Sequence, residues 1–383
     1  MDFALTDDHL ALRDAVRRFC DAHYPAPLRG DAETPALAAE RWAGLATLGL
    51  PGLALSADHG GSGLGAVETM LAAHELGRAL AQGPWLANMV LAGPLLALAA
   101  PAWAAPWQQA LANGALQVAL ACGEAGARHD SNDVTTTATP TASGWVVTGR
   151  KTCVLGADSA GLLLVVARTA GSRRDGEGLS LLAIAADTPG LRITPTPLLD
   201  GRPAAHVDLD QVAVPADRLI GPLHGAGPLL DGAIDRATAA LCAESTGALE
   251  VLLTLCCEHL RTRTQFGQPL ARFQALQHRI ADMTLALEQQ KSMACLAAMA
   301  VNEADAPQRR RLVSAAKTLT AQLGRQQALA AIQLHGAMGM TAECRVGHYA
   351  KRLIVNGQLF GDAAHHLQRF AACPTTPPTE STT

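Results

Sequence analysis

Two short segments of this sequence carry side chains suited to holding a phosphorylated ligand. The first is Arg263–Thr264–Gln265–Phe266–Gly267–Gln268–Pro269–Leu270, followed by Phe273–Gln274–Ala275–Leu276–Gln277–His278. It offers an arginine fork for a phosphate, amide side chains for a purine edge and a glycine that frees the backbone. The second is Gln333–Leu334–His335–Gly336–Ala337–Met338–Gly339–Met340–Thr341. Glycines there let backbone approach a ligand and present N–H groups to an anion. Each has a plainer reading, a capped hairpin for the first and a glycine helix stop for the second. Cysteine chemistry is less promising. The nine cysteines include no CxxC pair, and the adjacent Cys256 and Cys257 would point about 100° apart on a helix. No metal site is expected.

The elements that must position these residues fall into three zones. Residues 1–115 are Ala- and Leu-rich with helical periodicity, broken at Ser56–Gly63 and resumed in a helix over Val67 to Leu80. Residues 116–222 hold short β-branched or apolar runs at 134–139, 145–149, 162–167, 179–184 and 205–209, separated by turn residues. That spacing predicts a small antiparallel barrel or sandwich. Residues 223–371 return to helix, over Ile234–Arg261, Phe273–Asn302, Gln308–His335 and Cys344–Phe370. Four long helices in succession predict an antiparallel bundle. A Pro-, Thr- and Ser-rich tail over 372–383 reads as disordered. The fold class is therefore α+β, with an N-terminal helical domain, a middle β domain and a C-terminal four-helix bundle.

Composition narrows the partners. At 383 residues with 49% hydrophobic side chains the chain can fill more than one core. Its net charge is −4, and Arg309–Arg310–Arg311 reads as a solvated helix face, which disfavours nucleic acid. The stretch from Ala79 to Gly123 has no charged side chain, but four prolines and several amides interrupt it. A bilayer span needs about 20 consecutive apolar residues, so buried helices are expected instead. The odd cysteine count and the lack of a signal peptide point to a reducing cytoplasm.

Taken together, R-x-Q-F-G-x-P-L-x-x-F-Q and Q-L-H-G-x-x-G-x-T resemble the C-terminal bundle of acyl-CoA dehydrogenases. Phe3–His9, His59–Gly65 and Glu75–Leu80 are similar to that family's N-terminal domain, so the likeness spans roughly residues 1–371. The C-terminal half, through Ala240–Glu244, Phe273–Arg279, Phe360–Asp362 and His365–His366, is most similar to the small subunit of pimeloyl-CoA-dehydrogenase-type enzymes. The resemblance implies FAD at a subunit interface, with Arg263, Gln265, Phe266, Gln274, Gln333 and Gly336 around its adenine dinucleotide portion. It implies an acyl-CoA substrate, a homo- or heterotetramer, and electron-transfer flavoprotein as acceptor. The implied reaction removes an α-proton and a β-hydride to give a 2-enoyl-CoA.

Several positions depart from the family pattern. The family's usual base, the Glu of an E-G-T motif, aligns with Phe360, which cannot take a proton. Its other location, on the first bundle helix, aligns with Ala237. Glu244 lies seven residues on, nearly on the same helical face and about 10 Å along the axis. Glu244 ranks first as base, ahead of no base in this chain, then Asp235, then Asp362. The loop Cys122–Asp130 keeps only Glu124 and Gly126 of the family's flavin-side pattern. Cys153–Val154–Leu155 replaces an aromatic and a hydroxyl that would meet the flavin ring. Three functions remain: a catalytic subunit using Glu244; a half-site partner in a heteromeric dehydrogenase; or a same-fold oxidase or monooxygenase.

Overall fold

The computed structural model describes residues 4–24 and 34–373. Phe3 and positions 374–383 of the expected tail lie outside the described residues. Helix α1 (Asp7–His23) starts where the Thr6 side chain accepts from the His9 N–H and the His9 ring accepts from the Thr6 N–H. Helix α2 (Pro35–Thr47) is capped by Thr34, and α3 spans Ala66–Arg78. The uncharged stretch forms a π-helical turn at Leu86–Ala92, all seven residues buried, then α4 (Gly93–Leu96) and α5 (Pro101–Ala112). Prolines open α4 and α5, where a missing N–H costs nothing.

The middle strands are β1 (Val118–Ala121), β2 (Thr137–Thr141), β3 (Gly144–Leu155) and β4 (Leu162–Arg168). They continue as β5 (Leu179–Ala185), β6 (Leu191–Pro195), β7 (Ala204–Pro215) and β8 (Leu219–Ile220). All eight join one sheet, ordered β6-β7-β3-β2-β4-β5-β8, with β1 beside β4. The sheet is not wholly antiparallel, as the sequence predicts, because β1 and β2 both pair parallel to β4. Every residue of β1 and β4 is buried. With both faces covered neither shows polar alternation. β4 still reads as a strand from its longer apolar run, while the four residues of β1 merge with the uncharged stretch before them and go unseen.

The bundle comprises α6 (Ala226–Thr262), α7 (Gln274–Ala300), α8 (Ala306–His335) and α9 (Arg345–Gln358), with a short α10 (Ala363–Ala372). The single helix expected over Cys344–Phe370 is two. Phe360 and Gly361 take φ of +58° and +122°, which ends α9, and the Asp362 carboxylate caps α10 by accepting from the His365 N–H at 2.8 Å. Helix α6 crosses α3 with almost no gap. A Cβ at Gly77 would stand 2.1 Å from the Glu244 carbonyl oxygen, and one at Gly247 would stand 2.0 Å from that of His74. By length and composition α6 is apolar enough to cross a bilayer, yet 67% of its most apolar window is buried inside the protein.

Candidate active site

The residues expected to hold FAD gather at one end of the bundle. Arg263, Gln265 and Phe266 lie in the α6–α7 turn, held by a two-residue hairpin pairing Thr264–Gln265 with Gln268–Pro269. Gln274 opens α7, and Gln333 and Gly336 sit at the end of α8. The His259 and His335 rings stack with centroids 4.2 Å apart, which joins the α6 and α8 ends. All six residues are exposed, Phe266 by 89%, and space is open around the Gly336 Cα. Among the described residues the Arg263 guanidinium has no partner. A cation, three amides and a flat ring suit a phosphate and a purine. They point outward, so a second surface must close over whatever they hold.

Glu244, first in rank as the base, sits away from these residues, inside the protein. Its side chain is 0% exposed. Arg202 Nη2 donates to its Oε1 and Oε2 at 2.9 and 3.0 Å, Arg352 Nη1 to Oε1 at 2.5 Å and Asn356 Nδ2 to Oε2 at 3.1 Å. Arg352 Nε also pairs with Asp200 at 2.7 Å, and Arg352 Nη1 donates to the Ala81 carbonyl at 3.2 Å. The network thus ties the N-terminal helices, the β6–β7 loop, α6 and α9 together. The Glu244 carboxylate is thus fully buried and accepts four hydrogen bonds from cationic and amide donors. Asp235 is similarly engaged, with Arg309 at 3.0 Å and Arg369 at 2.7 Å.

The β domain meets the bundle at the α9–α10 turn. Cys122 and Phe360, from opposite sides of that seam, are half-buried on the same apolar core. The Phe360 carbonyl accepts from His366 Nε2 at 3.1 Å, and His366 Nδ1 meets Ser314 at 3.2 Å. His129, from the β1–β2 loop, brings Nε2 to 4.0 Å from Asp362 Oδ2 and its ring to 5.2 Å from that of His365. The hydrogen bond from the His365 N–H, against slight burial and with His129 nearby, holds the Asp362 carboxyl below its ordinary range. Burial, with His129 and Arg369 adding to it, pulls His365 down. Burial also lowers the Lys317 ammonium to about 8 beside this turn. A cavity of about 600 Å³ opens along Asp362, Gln358, Gln322, Arg325 and Gln326, within the common size range of ligand sites.

Glu124 is likewise structural. It is buried and accepts from Lys151 Nζ at 2.6 Å and from the Thr135 and Thr136 N–H groups at 2.7 and 3.0 Å. Although burial opposes ionisation, Lys151 and the hydroxyl and amide donors bring its carboxyl to about 2. Cys153 is exposed with φ +52°, while Val154 and Leu155 are buried. The meeting of His129 with Asp362 and His365 is invisible in the sequence, because more than 230 positions separate the loop from the helix.

A helical domain, a mixed sheet and a long-helix bundle, in that order, are the architecture of a family of flavoprotein oxidoreductases. The chain belongs to the acyl-CoA dehydrogenase family, matching its N-terminal, middle and C-terminal domains over residues 6–115, 119–212 and 228–372. FAD is the cofactor. The chain is 27% identical to the probable acyl-CoA dehydrogenase YngJ of Bacillus subtilis, over 97% of this chain and 98% of that one. It is 28% identical to the L-prolyl-[peptidyl-carrier protein] dehydrogenase of a Serratia strain, over 90% of each. Among solved structures, the ChsE4–ChsE5 complex of Mycobacterium tuberculosis superposes with TM-score 0.82 at 26% identity, covering 98% of this chain and 100% of that one.

Proposed function

We propose that the protein takes part in FAD-dependent α,β-dehydrogenation of an acyl-CoA thioester, removing an α-proton and a β-hydride to give a 2-enoyl-CoA. One observation carries this reading: Arg263, Gln265, Phe266, Gln274, Gln333 and Gly336 converge, exposed, at one end of the bundle. When bound, FAD supplies the two-electron acceptor. Arg263 would hold its phosphates, the three amides its purine edge, and Phe266 would pack on the adenine portion. Because these groups face outward, FAD would bridge two chains, and electron-transfer flavoprotein would reoxidise it.

Glu244 acts as a strut and not as the base. A second reading follows from Phe360 standing at the family's base position and from the engaged states of Glu244 and Asp235. In it this chain is the half-site subunit of a heteromeric dehydrogenase, supplying bundle residues to a flavin whose chemistry another chain completes. The ChsE4–ChsE5 neighbour, a complex of two different chains, supports that reading.

The test is to purify the chain without added flavin, measure flavin per chain, and titrate it anaerobically with a panel of acyl-CoAs. Near one FAD per chain, bleached by an acyl-CoA in both wild type and Glu244→Gln, is expected for a self-sufficient dehydrogenase with a different base. A folded, colourless chain that turns yellow only with a co-expressed homologue would instead select the half-site reading. Bleaching lost in Glu244→Gln at unchanged flavin content and stability would restore Glu244 as the base.

A further inference from the structure

One cluster of titratable side chains stands open at the seam where this chain carries Phe360 in place of a base. His129 comes from the β1–β2 loop, in which Gly126 and Arg128 take left-handed backbone, φ +84° and +52°. Asp362 and His365 come from the first turn of α10. Their side chains are not consumed by the core: His129 is 30% exposed and Asp362 39%, and Asp362 lines the adjoining cavity. Among the described residues, His129 Nδ1 makes no hydrogen bond, while Nε2 faces the Asp362 carboxylate at 4.0 Å.

We propose that His129 is the proton acceptor of the dehydrogenation and that Asp362 is its positioning residue, together replacing the carboxylate absent at Phe360. The inference rests on the acyl-thioester reading above. A carboxylate facing one ring nitrogen orients the imidazole and leaves the other nitrogen as the acceptor. In the step, a His129 nitrogen forms an N–H bond as the substrate's α-C–H bond breaks. The pair left on the α-carbon forms the new C=C bond while the β-hydrogen departs with its pair to FAD. The substrate loses one proton and one hydride, bound FAD would supply the two-electron acceptor, and the imidazolium later returns its proton to water. The charged and titratable groups around the pair are Asp130 from the same loop, His365 and Arg369 from α10, and Lys317 from α8. Burial keeps His365 below its ordinary range, so it competes little with His129 for the charge of Asp362.

The experiment uses the FAD-loaded full-length protein in its native assembly and a 3-thia acyl-CoA, whose sulfur at the β-position has no hydride to give. Exchange of its α-protons into D2O, followed by proton NMR, then reports the base without turnover. Wild type is expected to exchange, and His129→Gln to slow exchange about 100-fold or more at unchanged flavin content, the range of a lost general base. Asp362→Asn should slow exchange about tenfold, and the conservative Asp362→Glu should recover most of it. Unchanged exchange in His129→Gln, or none in wild type, overturns the proposal. Unchanged exchange in Asp362→Asn, or no recovery in Asp362→Glu, overturns the positioning role. If ordinary acyl-CoA still bleaches the flavin of His129→Gln at full rate, His129 fails while the dehydrogenase reading stands; if wild type neither exchanges nor bleaches, both fail.

Discussion

His366 shows how burial among cations fixes a side chain's charge. Enclosure, with Lys317, His365 and Arg369 adding to it, pulls its ring down to about 2 from an ordinary 6.5. In the folded protein it stays neutral and bridges Ser314 to the Phe360 carbonyl. The sign follows from proton counting. Between those two values the unfolded chain binds a proton that the folded one refuses, so stability rises with pH across that window. This group therefore costs nothing above about pH 6.5 and destabilises progressively as the pH falls below it. His366→Gln is expected to flatten the loss of stability between pH 6.5 and 4.5, measured by urea unfolding at fixed pH steps. An unchanged slope would remove His366 as the source. Since Gln cannot reproduce both ring contacts, stability at pH 7 should fall by about 1–3 kcal/mol.

At the scale of elements, the break between α9 and α10 decides what faces the β domain. An unbroken helix would carry Asp362 and His365 on a rigid path set by α9. The left-handed Phe360 and Gly361 redirect the chain and let Asp362 cap a new helix. A Cβ at Gly361 would meet His365 Cδ2 at 2.6 Å and His366 Nε2 at 2.7 Å. Gly361→Ala should therefore displace both rings and lower stability by about 1–3 kcal/mol, the cost of strain at a special backbone position. Thermal melts and the His365 and His366 NMR signals would register it, and wild-type values for both would show that the turn is slack. The closing segment Phe360–Gly361–Asp362 contains a stop and a start signal in the sequence. The apolar periodicity on either side masks them, which is how two helices read as one.

For the whole molecule, the exposed end of the bundle is the feature without a partner in a single chain. Phe266, Met338 and Met340 are 89%, 53% and 76% exposed there, beside the groups proposed to hold FAD. Exposed apolar side chains gathered at one end mark an association surface. Phe266→Asp should dissociate the assembly toward single chains in sedimentation velocity and lower the flavin content in parallel. An unchanged sedimentation coefficient with full flavin would place the interface and the cofactor elsewhere. The buried network of Asp200, Arg202, Glu244, Arg352 and Asn356, with the Ala81 carbonyl accepting from Arg352, joins the three domains from inside.

The sequence by itself determined the order of helices, sheet and bundle, because periodicity and turn chemistry are local. It also determined that position 360 lacks a base, since side-chain type is read directly. Burial and partners are not local, and only the tertiary structure decided what surrounds Glu244. The same Glu beside Ala243 could have faced a substrate, but the folded chain brings Arg202 and Arg352 to it from two other elements. Likewise His129 and Asp362 are ordinary polar residues in their own segments. They become a pair because the β1–β2 loop and the α10 start meet across a domain seam, through contacts that no sequence spacing encodes.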